Sequence, residues 1–168
     1  MAKLTEMAEV LMALATLSGG SFDLDHGKLD RALSVVGDHL PAPLRGNLSF
    51  SVTSVGFRCL ELPEIVNMAF YMMAAEYGED GNHNILRSKI PTNEAREIAI
   101  MYGSTIAEFE RTAIEINHVI GQVAAEIAED ATGLSELDTG QSVNLDEVLD
   151  KARLIVETAE QRRSQIGL

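Results

Sequence analysis

One cysteine, Cys59, occurs in the 168 residues. That excludes an intrachain disulfide framework and a cysteine-rich zinc site, and a reducing cytoplasm is the expected compartment. A catalytic thiol wants a nearby histidine. The sequence places none close to Cys59, which reads as a small buried hydrophobe. Basic residues are scarce, 13 against 26 acidic ones, for a net charge of −13. Such a chain is repelled by phosphate backbones and anionic membranes unless its cations cluster. The nearest approach to a cluster is Arg162-Arg163, and Arg87 with Lys89. Long hydrophobic runs are missing too. The longest, residues 65–75, is too short to cross a bilayer, so no membrane partner is expected. The N-terminal stretch MAKLTEMAEVLMALATLSGG superficially resembles a signal peptide. Glu6 and Glu9 interrupt it at helical spacing, and it reads as a mature first helix. There is no glycine-rich phosphate loop and no Gly-x-Ser-x-Gly elbow. No catalytic class follows from motifs, and no cofactor is expected.

What is present is a globular composition, 46% hydrophobic and 23% charged, long enough to bury a core without disulfides or metals and expected to form one domain, 1–168. Met7, Val10, Leu11, Leu14 and Leu17 make one helical stripe, stopped by Gly19-Gly20. Asp25 can cap a second helix with the stripe Leu29, Ala32, Leu33 and Val36. Residues 44–62, LRGNLSFSVTSVGFRCLEL, fit two patterns. Leu48, Phe50 and Val52 alternate with serines as in a strand. Leu44, Leu48, Val52, Val55, Cys59 and Leu62 also fit a helix. A lone hairpin in a helical chain is marginal, so the helix is the preferred reading. Pro63 suits the first turn of the next helix. That helix, residues 64–77, is apolar on nearly every side and rich in Met, which calls for burial in a core or an interface. GEDGNHN, residues 78–84, reads as a polar loop with a solvated His83.

Thr92 can cap a long helix over 93–131, with the stripe Ile98, Tyr102, Thr105, Phe109, Ala113, Ile116, Ile120, Val123 and Ile127 spaced as in a coiled-coil seam. At about 1.5 Å per residue it would span roughly 57 Å, with Gly103 and Gly121 able to bend or split it. A loop over 132–143 and an Asn144/Glu147 capping box lead to a last helix. The fold class expected is all-α: a single-domain bundle of about five helices around one long central helix, with a short β-hairpin at 48–60 as the competing detail.

Residues 96–118, REIAIMYGSTIAEFERTAIEINH, carry two partial motifs. Ala99 and Gly103 match the small residue and turn glycine of a helix-turn-helix, but the second helix would then show Glu108 and Glu110 to DNA. One long packing helix is preferred. Glu115 and His118 have the Glu-x-x-His spacing of di-iron bundles. A complete site needs a second such pair, and acidic pairs at the same spacing, such as Glu6/Glu9 and Glu157/Glu160, recur throughout. The plain reading is a surface carboxylate and a half-buried histidine. In DHLPAPLRGN, residues 38–47, a histidine shortly before Pro-Leu resembles the phosphorylated histidine of sensor kinases, but the spacing to Pro43 is one residue short and Pro41 breaks the helix.

The function expected is a non-enzymatic interaction or assembly subunit whose partner is itself or other protein subunits. Five Phe and no Trp leave few large rings to cover both the Met-rich helix and the long seam, which places Met72, Met73, Phe109, Ile116 and Val123 near the contact. A nucleoprotein subunit or regulator is the first alternative, and it needs Arg45, Arg58, Arg87, Lys89 and Arg96 to converge. A ferritin-like metal protein is the second.

Overall fold

A computed structural model describes residues 3–78 and 82–138. The chain divides into two compact units, Met1–Ala124 and Ala125–Leu168. The expected capping box at Asn144 and the last helix lie outside the described residues.

In the first unit the order is α1 (Leu4–Leu17), β1 (Ser21–Asp23), α2 (Lys28–Val36), β2 (Phe50–Thr53), β3 (Gly56–Cys59), α3 (Leu62–Tyr71), β4 (Ala75–Gly78), β5 (Asn82–Ser88) and α4 (Thr92–Met101), followed by α5 (Ile106–Asp138), which runs on into the second unit. Single 3-10 turns, Asp25–Gly27 and Gly37–His39, flank α2. The expected all-α bundle is therefore overturned: two antiparallel sheets, β1-β5-β4 and β2-β3, stand among the helices.

The core is organised around α1. Between Met7 and Ala15 every residue but Glu9 is buried. Each large aliphatic chain so enclosed stabilises the fold by about 2 kcal/mol relative to exposure. α1 packs against α3, α4 and β5. In the three-stranded sheet Phe22, Leu86 and Tyr77 stand at one level across the strands, and Phe22 and Leu86 are buried against the helices.

Three local readings change with the fold. Within residues 44–62, which were expected to be helix, residues 50–59 form the hairpin β2–β3, with Phe50 opposite Cys59 and Val52 opposite Phe57. The rings of Phe50 and Phe57 stack with centroids 5.7 Å apart. The hairpin escapes the marginality of an isolated pair because it is tied to α2: the Asp30 carboxylate, itself buried, accepts the Cys59 N–H at 2.7 Å. The Met-rich helix stops at Tyr71 and its expected last turn is strand β4, paired with β5 where a polar loop was expected. The single helix expected over 93–131 is broken at residues 102–105. Gly103 takes a left-handed φ of 80° there. The N–H groups of Ser104 and Gly103 donate back to the carbonyls of Ala99 and Ile100, which closes α4 as a Schellman motif. One residue later the Thr105 hydroxyl accepts the Glu108 N–H at 3.1 Å and caps α5. A stop and a start side by side defeat the continuous seam. Beyond it α5 passes through Gly121 and continues as helix to Asp138, over residues expected to be a loop.

Candidate functional site

β3 rises against the 3-10 turn before α2, and its neighbour across a cleft is the first half of α3. Gly27, with φ of 68°, lets the two approach: a Cβ there would collide with the Arg58 guanidinium and lie 2.9 Å from the Phe57 carbonyl. Arg58 Nη1 donates to that same carbonyl at 2.8 Å. The cleft between hairpin and helix has a volume of about 510 Å³. Val55, Leu60, Leu62 and Val66 line it, together with the polar groups of Asp30, Arg58, Asn67 and Tyr77.

The surface around the cleft is apolar to an unusual degree. Val55 and Leu60 on the hairpin are 69% and 54% exposed, and Val52 is 58% exposed. α3 buries only Leu62, Ile65 and Ala69. Its last residue, Tyr71, is 84% exposed, and Met73 just beyond it is 72% exposed. The ring of Tyr77 packs on Phe70 of α3 and on His83 of β5, at 4.6 and 4.4 Å.

α3 also closes as a Schellman motif. Ala74 N–H donates to the Ala69 carbonyl and Met73 N–H to the Phe70 carbonyl. The position that usually holds glycine is Met73, at φ of 60°. A left-handed conformation costs an L-residue about 1 kcal/mol or more, and this one carries an exposed side chain that contributes little to the core.

Cys59 lies at the cleft wall, and burial pushes its thiol up to about 11. Its Sγ lies 3.8 Å from the Glu61 carboxylate, an arrangement that disfavours a thiolate nucleophile. For Glu61, burial raises the pKa but is outweighed by hydrogen bonds, first of them the Ser49 N–H, which donates at 2.7 Å, and the carboxyl ends below its ordinary value.

The other residues singled out in the sequence fall as follows. Met72 and Met73 are exposed, just past the end of α3. Phe109, Ile116 and Val123 are covered within the chain, at 1%, 0% and 6% exposure. Glu115 and His118 follow one another on α5. Glu115 is engaged by His39, Nδ1 to Oε2 3.4 Å, and His118 is exposed. Two residues singled out for different chemistries, His39 and Glu115, are thus brought together, beside Thr112, whose hydroxyl donates to the His39 and Glu108 carbonyls. No group of three or more His, Cys, Asp and Glu able to hold a metal occurs among the described residues. The basic candidates sit on separate elements: Arg45 before the hairpin, Arg58 in β3, Arg87 in β5 facing Glu76 at 3.9 Å, Lys89 after β5, and Arg96 on α4 facing Glu110 at 3.8 Å. No described helix is long and apolar enough to cross a membrane. Sequence reasoning missed the cleft because its walls belong to a hairpin read as helix. Comparison with protein-family models, with curated proteins and with solved structures gives no match.

Proposed function

We propose that this chain is a non-enzymatic interaction subunit that docks another protein subunit, or a second copy of itself, on the apolar surface of the hairpin and the end of α3. The observation that carries the reading is the exposure of Val55, Leu60, Tyr71 and Met73 around and beyond one cleft. Contiguous apolar surface rimmed by polar residues marks contact sites, and Tyr and Met are favoured at their centres. Light scattering on a sizing column tests it. The wild type elutes above its monomer mass of 18.2 kDa at micromolar concentration, or does so with its partner subunit, and Tyr71→Ala with Met73→Gly lowers that mass while the circular dichroism is unchanged. A wild-type monomer at every concentration, with no partner subunit purifying alongside it, ends the proposal.

A second reading has one observation in its favour. With the β2–β3 hairpin set aside as an insertion, the order α1-β1-α2-α3-β4-β5, with β1 paired to β5, is the connectivity of the winged variant of helix-turn-helix DNA readers, an analogy of topology. Two features oppose it. Residues 37–61 separate α2 from α3, where a helix-turn-helix has a tight turn. The solvent side of α3 shows Glu64, Asn67 and Tyr71 and no cation, in a chain of net charge −13. Random duplex DNA is expected to bind weakly at physiological salt. Sub-micromolar binding with a steep salt slope would install this reading in place of the first.

A further inference from the structure

Among the described residues, the cation in the cleft has no ion-pair partner. The chain carries twice as many acidic as basic residues, yet no carboxylate among the described residues forms an ion pair with Arg58. Its guanidinium is positioned all the same. It is seated over Gly27 and holds the Phe57 carbonyl with Nη1. Asp30 also lines the cleft, but its Oδ2 is engaged by the Cys59 N–H. A guanidinium is a planar fork matched to a carboxylate, and here one faces a cleft whose other walls include Val55, Leu60, Leu62 and Val66. The volume, about 510 Å³, falls within the range of about 300–1,000 Å³ typical of small-molecule sites. A largely apolar cleft whose cation has no ion pair among the described residues selects an occupant with an apolar body and one anionic end.

We propose that the cleft between the β2–β3 hairpin and α3 binds a small amphipathic carboxylate, its apolar chain along Val55, Leu60 and Val66 and its carboxylate on Arg58. Binding here is a property of the single chain and goes beyond the docking reading. It stands whether or not the surrounding surface meets another protein.

Calorimetric titration of the purified protein tests it with three probes: octanoate, 1-octanol and acetate. Octanoate binds one-to-one and more tightly than octanol, which shares the chain without the charge, and acetate, the charge without the chain, does not bind. Arg58→Gln weakens octanoate about tenfold or more, the loss of a charged hydrogen bond, and leaves octanol unchanged. Leu60→Asp weakens both. The absence of saturable octanoate binding overturns the proposal. So does an octanoate affinity no better than octanol's, or one that Arg58→Gln leaves intact. Should Arg58→Gln fail to fold, the ranking of the three probes on the wild type decides alone.

Discussion

Replacing Asp30 by Ala removes a buried side chain that holds β3 to α2. The carboxylate is 5% exposed and accepts the Cys59 N–H at 2.7 Å, and Cys59 itself is 2% exposed. A hydrogen bond to a charged group contributes about 1.5–3 kcal/mol, and a buried donor left without a partner costs about 1–3 kcal/mol. These are two descriptions of one loss and do not add, so Asp30→Ala is expected to destabilise by about 2–3 kcal/mol. Asp30→Asn keeps an acceptor oxygen in place and is expected to cost about 1 kcal/mol, the value of a neutral hydrogen bond forgone or weakened. For a chain of this length the Ala variant lowers the melting temperature by roughly 5–10 °C.

Urea unfolding followed by circular dichroism gives the free energies, and amide exchange locates the effect. In the Ala variant the Cys59 amide loses protection first, ahead of amides in α1, because the tie at the hairpin is local. If Asp30→Ala lies within about 0.5 kcal/mol of the wild type, the range of an ordinary surface change, and the Cys59 amide exchanges as before, Asp30 does not hold the hairpin and the account of why residues 50–59 form strands fails.

Three further outcomes are expected. Met73→Gly relieves a left-handed residue at a cost of about 1 kcal/mol and gives back about 0.4–1 kcal/mol in unfolded-chain entropy, so its stability stays within about 1 kcal/mol of the wild type; a large loss in urea unfolding would mean the side chain is packed. Burial, with the hydrogen bond to Glu9 and the Glu9 and Glu6 charges, pushes the Tyr102 phenol from 10.0 up to about 12. Its neutral form is favoured in the folded state, so the stability it contributes is complete below 10 and is lost as the pH rises toward 12. A spectroscopic titration shows one late phenol, and Tyr102→Phe removes it. Ile116→Glu buries a charge at a position that is 0% exposed, and the protein unfolds or loses several kcal/mol instead of shedding a partner; a folded variant of lower oligomeric mass would place α5 in an interface.

The helices were the legible part of the sequence, and their partners were not. The stripes Leu29-Ala32-Leu33-Val36 and Val10-Leu11-Leu14 are core in the structure because a helix writes its buried face into a local period. The hairpin at 50–59 depends on Asp30, far away in the sequence, and periodicity carries no trace of that bond. β4 and β5 were nearer to being readable. Asp80-Gly81 between AEYG and NHNILRS is a hairpin signal that the reading of 78–84 as a polar loop did not use. The break at 102–105 was visible only in part: Gly103 marks the stop, and the Thr105/Glu108 pair marks the new start. The cleft was the least legible feature, since Leu24, Arg58, Val66 and Tyr77 come from four segments. Cys59 read correctly as a buried small residue, but only the fold shows that it lines the wall beside Arg58, which has no ion pair among the described residues.

The exposed Tyr and Met at the end of α3 are not something the core demands. α1 fills the centre with an almost continuous row of buried side chains, and α3 contributes Leu62, Ile65 and Ala69 to it. Polar residues at Tyr71, Met72 and Met73 would leave that packing intact, and glycine at 73 would remove a strained conformation as well. Exposed Met and Tyr at these positions raise the tendency to associate. The net charge of −13 opposes indiscriminate association through long-range repulsion between copies. A surface that is apolar at one face and strongly charged elsewhere discriminates in this way: a partner must match the face closely enough to offset the repulsion, or carry basic residues that turn it into attraction. Salt separates the two cases. Added salt strengthens self-association by screening like charges and weakens the contact with a basic partner, so the sign of the salt dependence tells which kind of neighbour α3 and the hairpin are built to meet.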